Sequence, residues 1–386
     1  MKRTNISWIA GSLLAGVLLF SCSKGVSDSA EAENAPVRFG LDTRVGEPVE
    51  QGTTYRIMVY NAVENTSQFL FARTGTYYLK EEASAEGIAE LTACRLDDSG
   101  AYLADDAEAG LNGVSGTYYV LFVSPGVRNN SDGSFDVNPR TGKFVASELP
   151  ERKDIGAYGR VSMSKPMKEY RAMIGIDFYK AGNPSVDGFE ISDLALVGAG
   201  AADEAVRLFP GSRQVEAGKE SALAVGLTDR RADGATDGNG NPLFYETQES
   251  GRVAVVPAIY APKNEVAETL NTTVTGNLRE SDYLYMTCTM KQGSRDNIAI
   301  RMPLTAREEM RELLPQHTYL FRVVVSSNYI SLEVDVFDKS GNDWEDGGSD
   351  GGTIGTPDYT VTLGTWRIVG EGDDWELIPI EDQIIG

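Results

Sequence analysis

Short runs of β-forming residues, separated by glycine and proline, constrain the fold of this chain more than any other feature of its sequence. The chain has 41 Gly and 15 Pro among 386 residues, and helical periodicity is scarce. The run 53–60 alternates, with Tyr55, Ile57 and Val59 on one face. The run 116–124 is nearly all apolar, as expected of a central strand that is covered on both faces. Short strands bounded by turn residues are typical of sandwiches and barrels, so we expect a mainly all-β fold.

The predicted strands fall into two series, which suggests two domains for a chain of this length. We place an N-terminal β domain over 35–165 and a C-terminal β domain over 166–344. One or two short helices are expected, the clearest over 305–314, where Thr305 is the cap and Pro315 ends the helix. The predicted strands are 37–41, 53–60, 69–79, 88–95, 116–124 and 159–163, then 171–178, 189–197, 221–227, 253–260, 283–290, 298–302, 319–325 and 329–337.

The N-terminus has the pattern of an export signal. Basic residues precede an apolar run, 9–20, that is shorter than the roughly 20 residues of a membrane-spanning helix. The residues Leu-Phe-Ser-Cys that end at Cys22 resemble a bacterial lipobox, which implies a signal peptide over 1–21 and acylation of Cys22. The alternative is an ordinary signal peptide beside an incidental cysteine. The polar segment 22–34 cannot bury a core, so we interpret it as a tether.

The acidic composition excludes several functions. With 35 basic and 57 acidic residues the net charge is −22, so the chain is not expected to bind nucleic acid or an anionic lipid surface through charge. Beyond Cys22, only Cys94 and Cys288 remain. Each lies in a strand-like run, which favours buried free thiols, although a disulfide is the alternative in an oxidising compartment.

No pattern in the sequence indicates catalysis, a cofactor or a metal site. The only histidine, His317, follows the predicted helix and has no nucleophile context. The glycine-containing segment 198–203 lacks the third glycine of a dinucleotide loop. The segment 237–241 resembles the start of a calcium loop, but the glycine and glutamate that such a loop needs are replaced by Pro242 and Gln248. We therefore predict that the protein is not an enzyme.

The C-terminal segment differs from a disordered tail. A Gly- and Asp-rich linker, 345–356, precedes two apolar runs, and the segment 345–386 is therefore interpreted as a linker with C-terminal strands. Pro379 cannot donate a ladder hydrogen bond, so its run should lie at a sheet edge or at a strand end. These strands either pair with another molecule or fold back on their own domain; disorder is the third possibility.

Several of these features together resemble the fimbrillin superfamily, the lipoprotein-derived subunits of type V pili in Bacteroides-group bacteria. They are the lipobox at Cys22, the strand 37–41 running into Asp-Thr-Arg at Arg44, the opening run 52–60, and the closing pattern of helix, Pro315, two strands and Trp344. The resemblance implies two tandem transthyretin-like β-sandwich domains. It also implies a lipid anchor in the outer membrane through Cys22 and delivery to the cell surface.

The resemblance further implies assembly by strand exchange with other pilus subunits, in a homo- or heteropolymer. An Arg-specific protease would cut after Arg44, leaving Val45 as the new N-terminus and an empty slot where the first strand lay. A C-terminal strand of the next subunit would fill this slot, as in donor-strand complementation. The candidate donor residues are Tyr359, Val361, Leu363, Trp366, Ile368, Trp375, Leu377, Ile378 and Ile380.

The alternative function is that of a monomeric, lipid-anchored surface module that binds a glycan or a host ligand. Two pairs of neighbouring tyrosines carry this interpretation: Tyr77 with Tyr78, and Tyr118 with Tyr119. Their rings could stack on sugars, although one tyrosine of each pair is expected to point into the core, since neighbours in a strand face opposite ways.

Overall fold

The structure is a computed structural model that carries side chains. Strands make up almost all of its regular structure, which confirms the predicted all-β class. It describes residues 37–42, 51–62, 69–80, 88–124, 145–147, 151–156, 160–163, 167–182, 189–198, 222–247, 252–255, 284–293, 295–307, 310, 313–338, 357–371 and 374–380.

Ten strands and a short 3-10 helix, Ala107–Ala109, form the first part of the described chain. The order in the sheet is β10-β7-β6-β2-β3-β4-β1-β9, with β5 paired to β4 and β8 paired to β6. The strands are β1 (Arg38–Asp42), β2 (Thr54–Ala62), β3 (Phe69–Leu79), β4 (Ile88–Leu96), β5 (Tyr102–Asp105), β6 (Gly116–Ser124), β7 (Val145–Ser147), β8 (Glu151–Ile155), β9 (Arg160–Met163) and β10 (Met167–Glu169).

Twelve strands form two further sheets. One has the order β14-β15-β11-β19-β20-β21-β22, with β16 paired to β11, and the other has the order β13-β12-β17-β18. The strands are β11 (Ala172–Lys180), β12 (Phe189–Val197), β13 (Ala222–Ala224), β14 (Leu227–Asp229), β15 (Leu243–Thr247), β16 (Val253–Val255), β17 (Tyr285–Gln292), β18 (Arg295–Pro303), β19 (His317–Val325), β20 (Tyr329–Asp338), β21 (Tyr359–Glu371) and β22 (Asp374–Pro379).

Two separate hydrophobic cores hold these sheets. The first core draws on residues between Val37 and Val161. The second, between Ala172 and Ile368, takes side chains from both later sheets, which is the arrangement of a β-sandwich. The two cores agree with two domains, but the limits 35–165 and 166–344 stay a proposal, since β10 belongs to the first sheet and the second core extends to Ile368.

The structure bears on the predicted helix and on the two cysteines. The helix predicted over 305–314 lies partly outside the described residues; among those described, Met310 has 3-10 geometry and none is α-helical. Cys94 and Cys288 are both buried and free, as expected. Burial raises the pKa of each thiol to about 12. Within the described part of the chain, no helix has the length and apolar character needed to cross a membrane.

Candidate functional site

The first strand of the chain, β1, lies inside its sheet and not at an edge. It pairs antiparallel with β4, where Phe39 is opposite Leu91. On its other side it pairs parallel with β9, where Phe39 is opposite Val161. Any strand that replaced β1 in these two ladders would therefore have to run in the same direction along the slot.

Alternate side chains of β1 enter the first core. Val37, Phe39 and Leu41 are buried, whereas Arg38 points to solvent. The ring of Phe39 meets Tyr77 edge-on at 5.3 Å between ring centroids and Phe122 at 5.5 Å. Aromatic pairs in this geometry stabilise a core beyond the effect of area burial, so Phe39 is the central anchor of the strand.

The buried hydroxyl of Tyr77 ties the start of β1 to the segment that follows the 3-10 helix. It donates to the carbonyl of Val37 at 3.1 Å and accepts from the amide of Leu111 at 2.8 Å. The amide of Val37 in turn donates to the carbonyl of Leu111 at 2.8 Å. Gly75 allows this close approach, because a Cβ atom there would lie 2.6 Å from the backbone nitrogen of Leu111.

This geometry defines what the loss of β1 would do. Three buried side chains would leave the core, at roughly 1.5–3 kcal/mol each. The Tyr77 hydroxyl would lose its acceptor inside an apolar pocket, which is costly for a buried polar group. Among the described strands β9 pairs with β1 alone, so it would also lose its ladder. The result would be a slot with unpaired backbone groups on both walls, open to a replacement strand.

The two C-terminal strands pair within their own chain. In β21, Thr365 and Arg367 lie opposite Ser331 and Tyr329 of β20. Strand β22 follows β21 in a hairpin, with Ile378 opposite Arg367, and forms one end of the sheet. The expectation that the run containing Pro379 lies at an edge is therefore confirmed. Donation of either strand to a second molecule stays a prediction.

The candidate donor residues divide by burial. Leu363 and Ile368 are buried in the second core, and the carbonyl of Leu363 accepts from Nε of Arg307 at 2.9 Å. Three others are partly buried against that core: Val361, Trp366 and Leu377. Three are among the most exposed large apolar residues described: Tyr359, Ile378 and Ile380. In the ladder, Trp375 is opposite Gly370. Strand β21 is thus the embedded strand and β22 the peripheral one.

The predicted lipidation and processing residues, Cys22, Arg44 and Val45, lie outside the described residues. The structure does place the end of β1, at Asp42, two residues before Arg44. Cleavage after Arg44 would therefore leave β1 on the released fragment.

Of the four tyrosines proposed to stack on sugars, Tyr77, Tyr78 and Tyr119 are buried, so the expectation is wrong for these three. Tyr77 and Tyr119 are 1% and 2% exposed, and Tyr78 is 8% exposed. Tyr118 is half-buried and packs against the first core. At positions 77 and 78, strand β3 is covered on both faces, which the alternation rule alone does not reveal. Sequence reasoning missed the role of Tyr77 beside β1, and no local pattern signals it.

No group of three or more metal-ligating side chains occurs in the described ranges. His317 packs near the end of the second core, where its Nδ1 lies 2.9 Å from the carbonyl oxygen of Pro315. Asp237 closes its own loop by accepting the backbone amides of Asn239 and Asn241 at 2.9 and 2.8 Å. These contacts are structural.

Part of this chain is similar in sequence to a known protein family. Residues 14–171 match a family model described as fimbrillin-like, and no curated protein matches the chain significantly. Alignments with three solved structures cover most of the chain. A proposed cell adhesion protein of Bacteroides fragilis shares 16% identity, covering 80% of this chain and 98% of its own, with a TM-score of 0.29. A fimbrial assembly protein of Parabacteroides distasonis shares 12%, covering 78% and 95%, with a TM-score of 0.28.

The third structure is the tip fimbrial protein Mfa3 of Porphyromonas gingivalis with a C-terminal truncation. It shares 9% identity, covers 78% of this chain and 99% of its own, and has a TM-score of 0.30. The family match includes the whole of β1 and its neighbours β4 and β9. Residues 14–171 are therefore similar to the fimbrillin-like family, in line with the resemblance seen in the sequence.

Proposed function

We propose that this chain is a structural subunit of a cell-surface fimbria. It is exported as a lipoprotein, anchored to the outer membrane through Cys22, and assembled with other subunits after an Arg-specific protease removes its first strand at Arg44. It has no catalytic role and uses no cofactor. The fimbrillin-like match supports the class of protein, and the packing of β1 supports the mode of assembly.

The observation that carries this proposal is the position of β1 between β4 and β9. Loss of an edge strand would leave the rest of a sheet intact, whereas loss of an internal strand opens a slot with two hydrogen-bonding walls. A donor strand from another subunit that fills the slot would regain the free energy lost with β1. Such a contact is durable, because it combines ladder hydrogen bonds with apolar burial.

The slot also specifies the donor. It needs large apolar side chains at the spacing of Val37, Phe39 and Leu41. Tyr359, Val361 and Leu363 of β21 have this spacing. Strand β22 has Trp375 and Leu377 at the same spacing, followed by Pro379, which lacks the amide that an internal position requires. The side-chain spacing and backbone amides of β21 match the slot better, whereas β22 is the easier strand to release from its own sheet.

Proteolysis of the purified full chain tests the proposal. Treatment with an Arg-specific protease, followed by N-terminal sequencing, should give a new N-terminus at Val45. Ladders of polymer that resist SDS should appear after cleavage and not before. The variant Arg44→Ala should remain uncut at this position and form no ladders. Arg38→Ala serves as the matched control and should be cut and assembled like the wild type. Cleavage at Val45 without ladders would overturn strand exchange.

A second candidate function is a monomeric, lipid-anchored surface module. The pairing of β21 with β20 in the same chain favours it, because a tail used within its own sheet is not free for donation. An intact monomer after protease treatment would support this candidate over the fimbrial subunit.

A further inference from the structure

Two consecutive large apolar side chains are exposed on the short strand β5. Tyr102 is 44% exposed and Leu103 55% exposed. The pairing of β5 with β4 explains why Leu103 is exposed. Leu96 and Arg95 of β4 lie opposite Tyr102 and Ala104, so Leu103 is a bulge residue without a partner in the ladder. Bulges often re-aim side chains at functional sites. The other large apolar residues that are exposed in the described chain are not neighbours in sequence.

The ring of Tyr102 is held in place although it is exposed. It packs on Tyr78 with 4.3 Å between ring centroids and 38° between the planes. Its hydroxyl donates to Oδ1 of Asp105 at 3.0 Å, and the Tyr78 hydroxyl donates to the same oxygen at 2.7 Å. A ring fixed in advance loses little conformational entropy when a ligand binds. One face of the ring is covered by Tyr78, which leaves the other side for a ligand.

Two polar side chains that can form further hydrogen bonds lie beside the ring of Tyr102. Nζ of Lys80 lies 3.2 Å from Oδ2 of Asp105, and both side chains are about half exposed, at 53% and 49%. Hydrogen bonds from Tyr78, Tyr102 and Lys80 lower the pKa of Asp105, so the carboxylate is charged at neutral pH. It can accept a further hydrogen bond at Oδ2, and the ammonium group can donate further ones. The backbone at Lys80 is held by Nε2 of Gln51, which donates to its carbonyl at 2.7 Å.

We infer that Tyr102, Leu103, Asp105 and Lys80 form a binding platform for a neutral pyranose sugar. A pyranose has an apolar C–H face that suits an exposed aromatic ring, and its neighbouring hydroxyl groups can donate to a carboxylate while accepting from an ammonium group. The net charge of −22 repels anionic sugars, which selects neutral ones. This inference goes beyond the proposed function, since it needs neither cleavage at Arg44 nor strand exchange.

Ligand-observed NMR on the uncleaved full chain tests the inference. The probes are methyl β-D-galactopyranoside, methyl α-D-mannopyranoside and N-acetyl-D-glucosamine. We expect saturation transfer to the C–H protons of at least one probe. Tyr102→Ala should weaken its binding by about tenfold or more, because the ring supplies most of the apolar contact. Tyr102→Phe should keep most of the binding, because the ring remains.

The control variant is Tyr329→Ala, since Tyr329 on β20 is 42% exposed and lies outside the platform. It should bind like the wild type. Leu103→Ser changes an exposed bulge residue and provides a second variant if Tyr102→Ala does not fold; it should weaken binding as well. Absence of transfer to all three probes would overturn the inference, as would equal losses in the Tyr102 and Tyr329 variants. Both measurements use uncleaved monomer, so a failure here is distinct from a failure of assembly.

Discussion

Asp177 places a carboxyl group on β11 where little water reaches it. The side chain is 4% exposed, and Oδ1 has no hydrogen-bond partner. Burial, and to a lesser extent the nearby Glu246, raise its pKa to about 7 overall. The backbone amide of Thr247 and the guanidinium groups of Arg252 and Arg230 act in the opposite direction. Because the unfolded carboxyl has a pKa of about 3.9, the folded protein holds this proton more tightly than the unfolded chain does.

This difference predicts how stability depends on pH. The contribution of the bound proton is complete below about pH 4 and is lost as pH rises through about 7. The variant Asp177→Asn removes this titration. Relative to the wild type, it should gain on the order of 4 kcal/mol in free energy of unfolding between about pH 4 and about pH 8.

Urea unfolding of both proteins across this pH range measures the effect. Asp98→Asn is the control at an exposed position. If the stability difference between Asp177→Asn and the wild type did not change with pH, Asp177 would not hold its proton more tightly in the folded protein than in the unfolded chain.

Phe39 is the residue on which the packing of β1 depends. Its replacement by Ala in the uncleaved chain removes a 1%-exposed ring between Tyr77 and Phe122. The expected loss in free energy of unfolding is about 3–5 kcal/mol, because a large cavity remains. Arg38→Ala, at the exposed neighbour on the same strand, should change stability by less than about 0.5 kcal/mol. Chemical denaturation measures both, and similar losses would show that β1 is not anchored in the core.

At the scale of elements, the two tail strands make unequal contributions. Strand β21 supplies Leu363 and Ile368 to the second core and covers the edge of β20. Among the candidate donor residues of β22 whose side chains are described, only Leu377 packs against that core. Removing the whole tail is therefore a poor test of assembly, because it strips an embedded strand from the fold.

Two truncations separate these contributions. Deleting 372–386 should lower the free energy of unfolding by only about 1–2 kcal/mol, since Leu377 is the one side chain among those described in this segment that packs against the core. Deleting 357–386 should lower it by more than about 5 kcal/mol, because two buried side chains and the β20 ladder are lost. Chemical denaturation provides the comparison.

The shorter deletion also distinguishes the two donors. SDS-resistant ladders should persist in it if β21 is donated and vanish if β22 is. Equal stability of the two truncated proteins would contradict the described burial of β21.

At the scale of the whole molecule, the net charge of −22 opposes contact between copies of the chain. Screening by salt shortens the range of this repulsion. Raising NaCl from about 20 mM to about 300 mM should therefore speed the association of cleaved subunits severalfold. The rate of ladder formation after cleavage is complete measures this effect. A rate that fell with salt would show that attraction between complementary charges dominates.

Local pattern predicted much of the fold. Strands β3, β6 and β12 have the bounds that alternation and turn residues predicted, and the ends of β4 and β20 differ by one residue. Other strands were missed. Strand β8 (Glu151–Ile155) contains four charged residues and no alternation, and it is a strand because it pairs with β6. A strand of this kind depends on its neighbour, and its own sequence does not identify it.

The sequence by itself determined the all-β class, most strands and the fimbrillin-like resemblance, because alternation, turn residues and motifs are local properties. Only the tertiary structure decided which strands became neighbours. It placed β1 between β4 and β9, buried the ring of Tyr77, exposed that of Tyr102 and paired β21 with β20. These outcomes depend on backbone partners and side chains that are distant in sequence, and no local pattern encodes them.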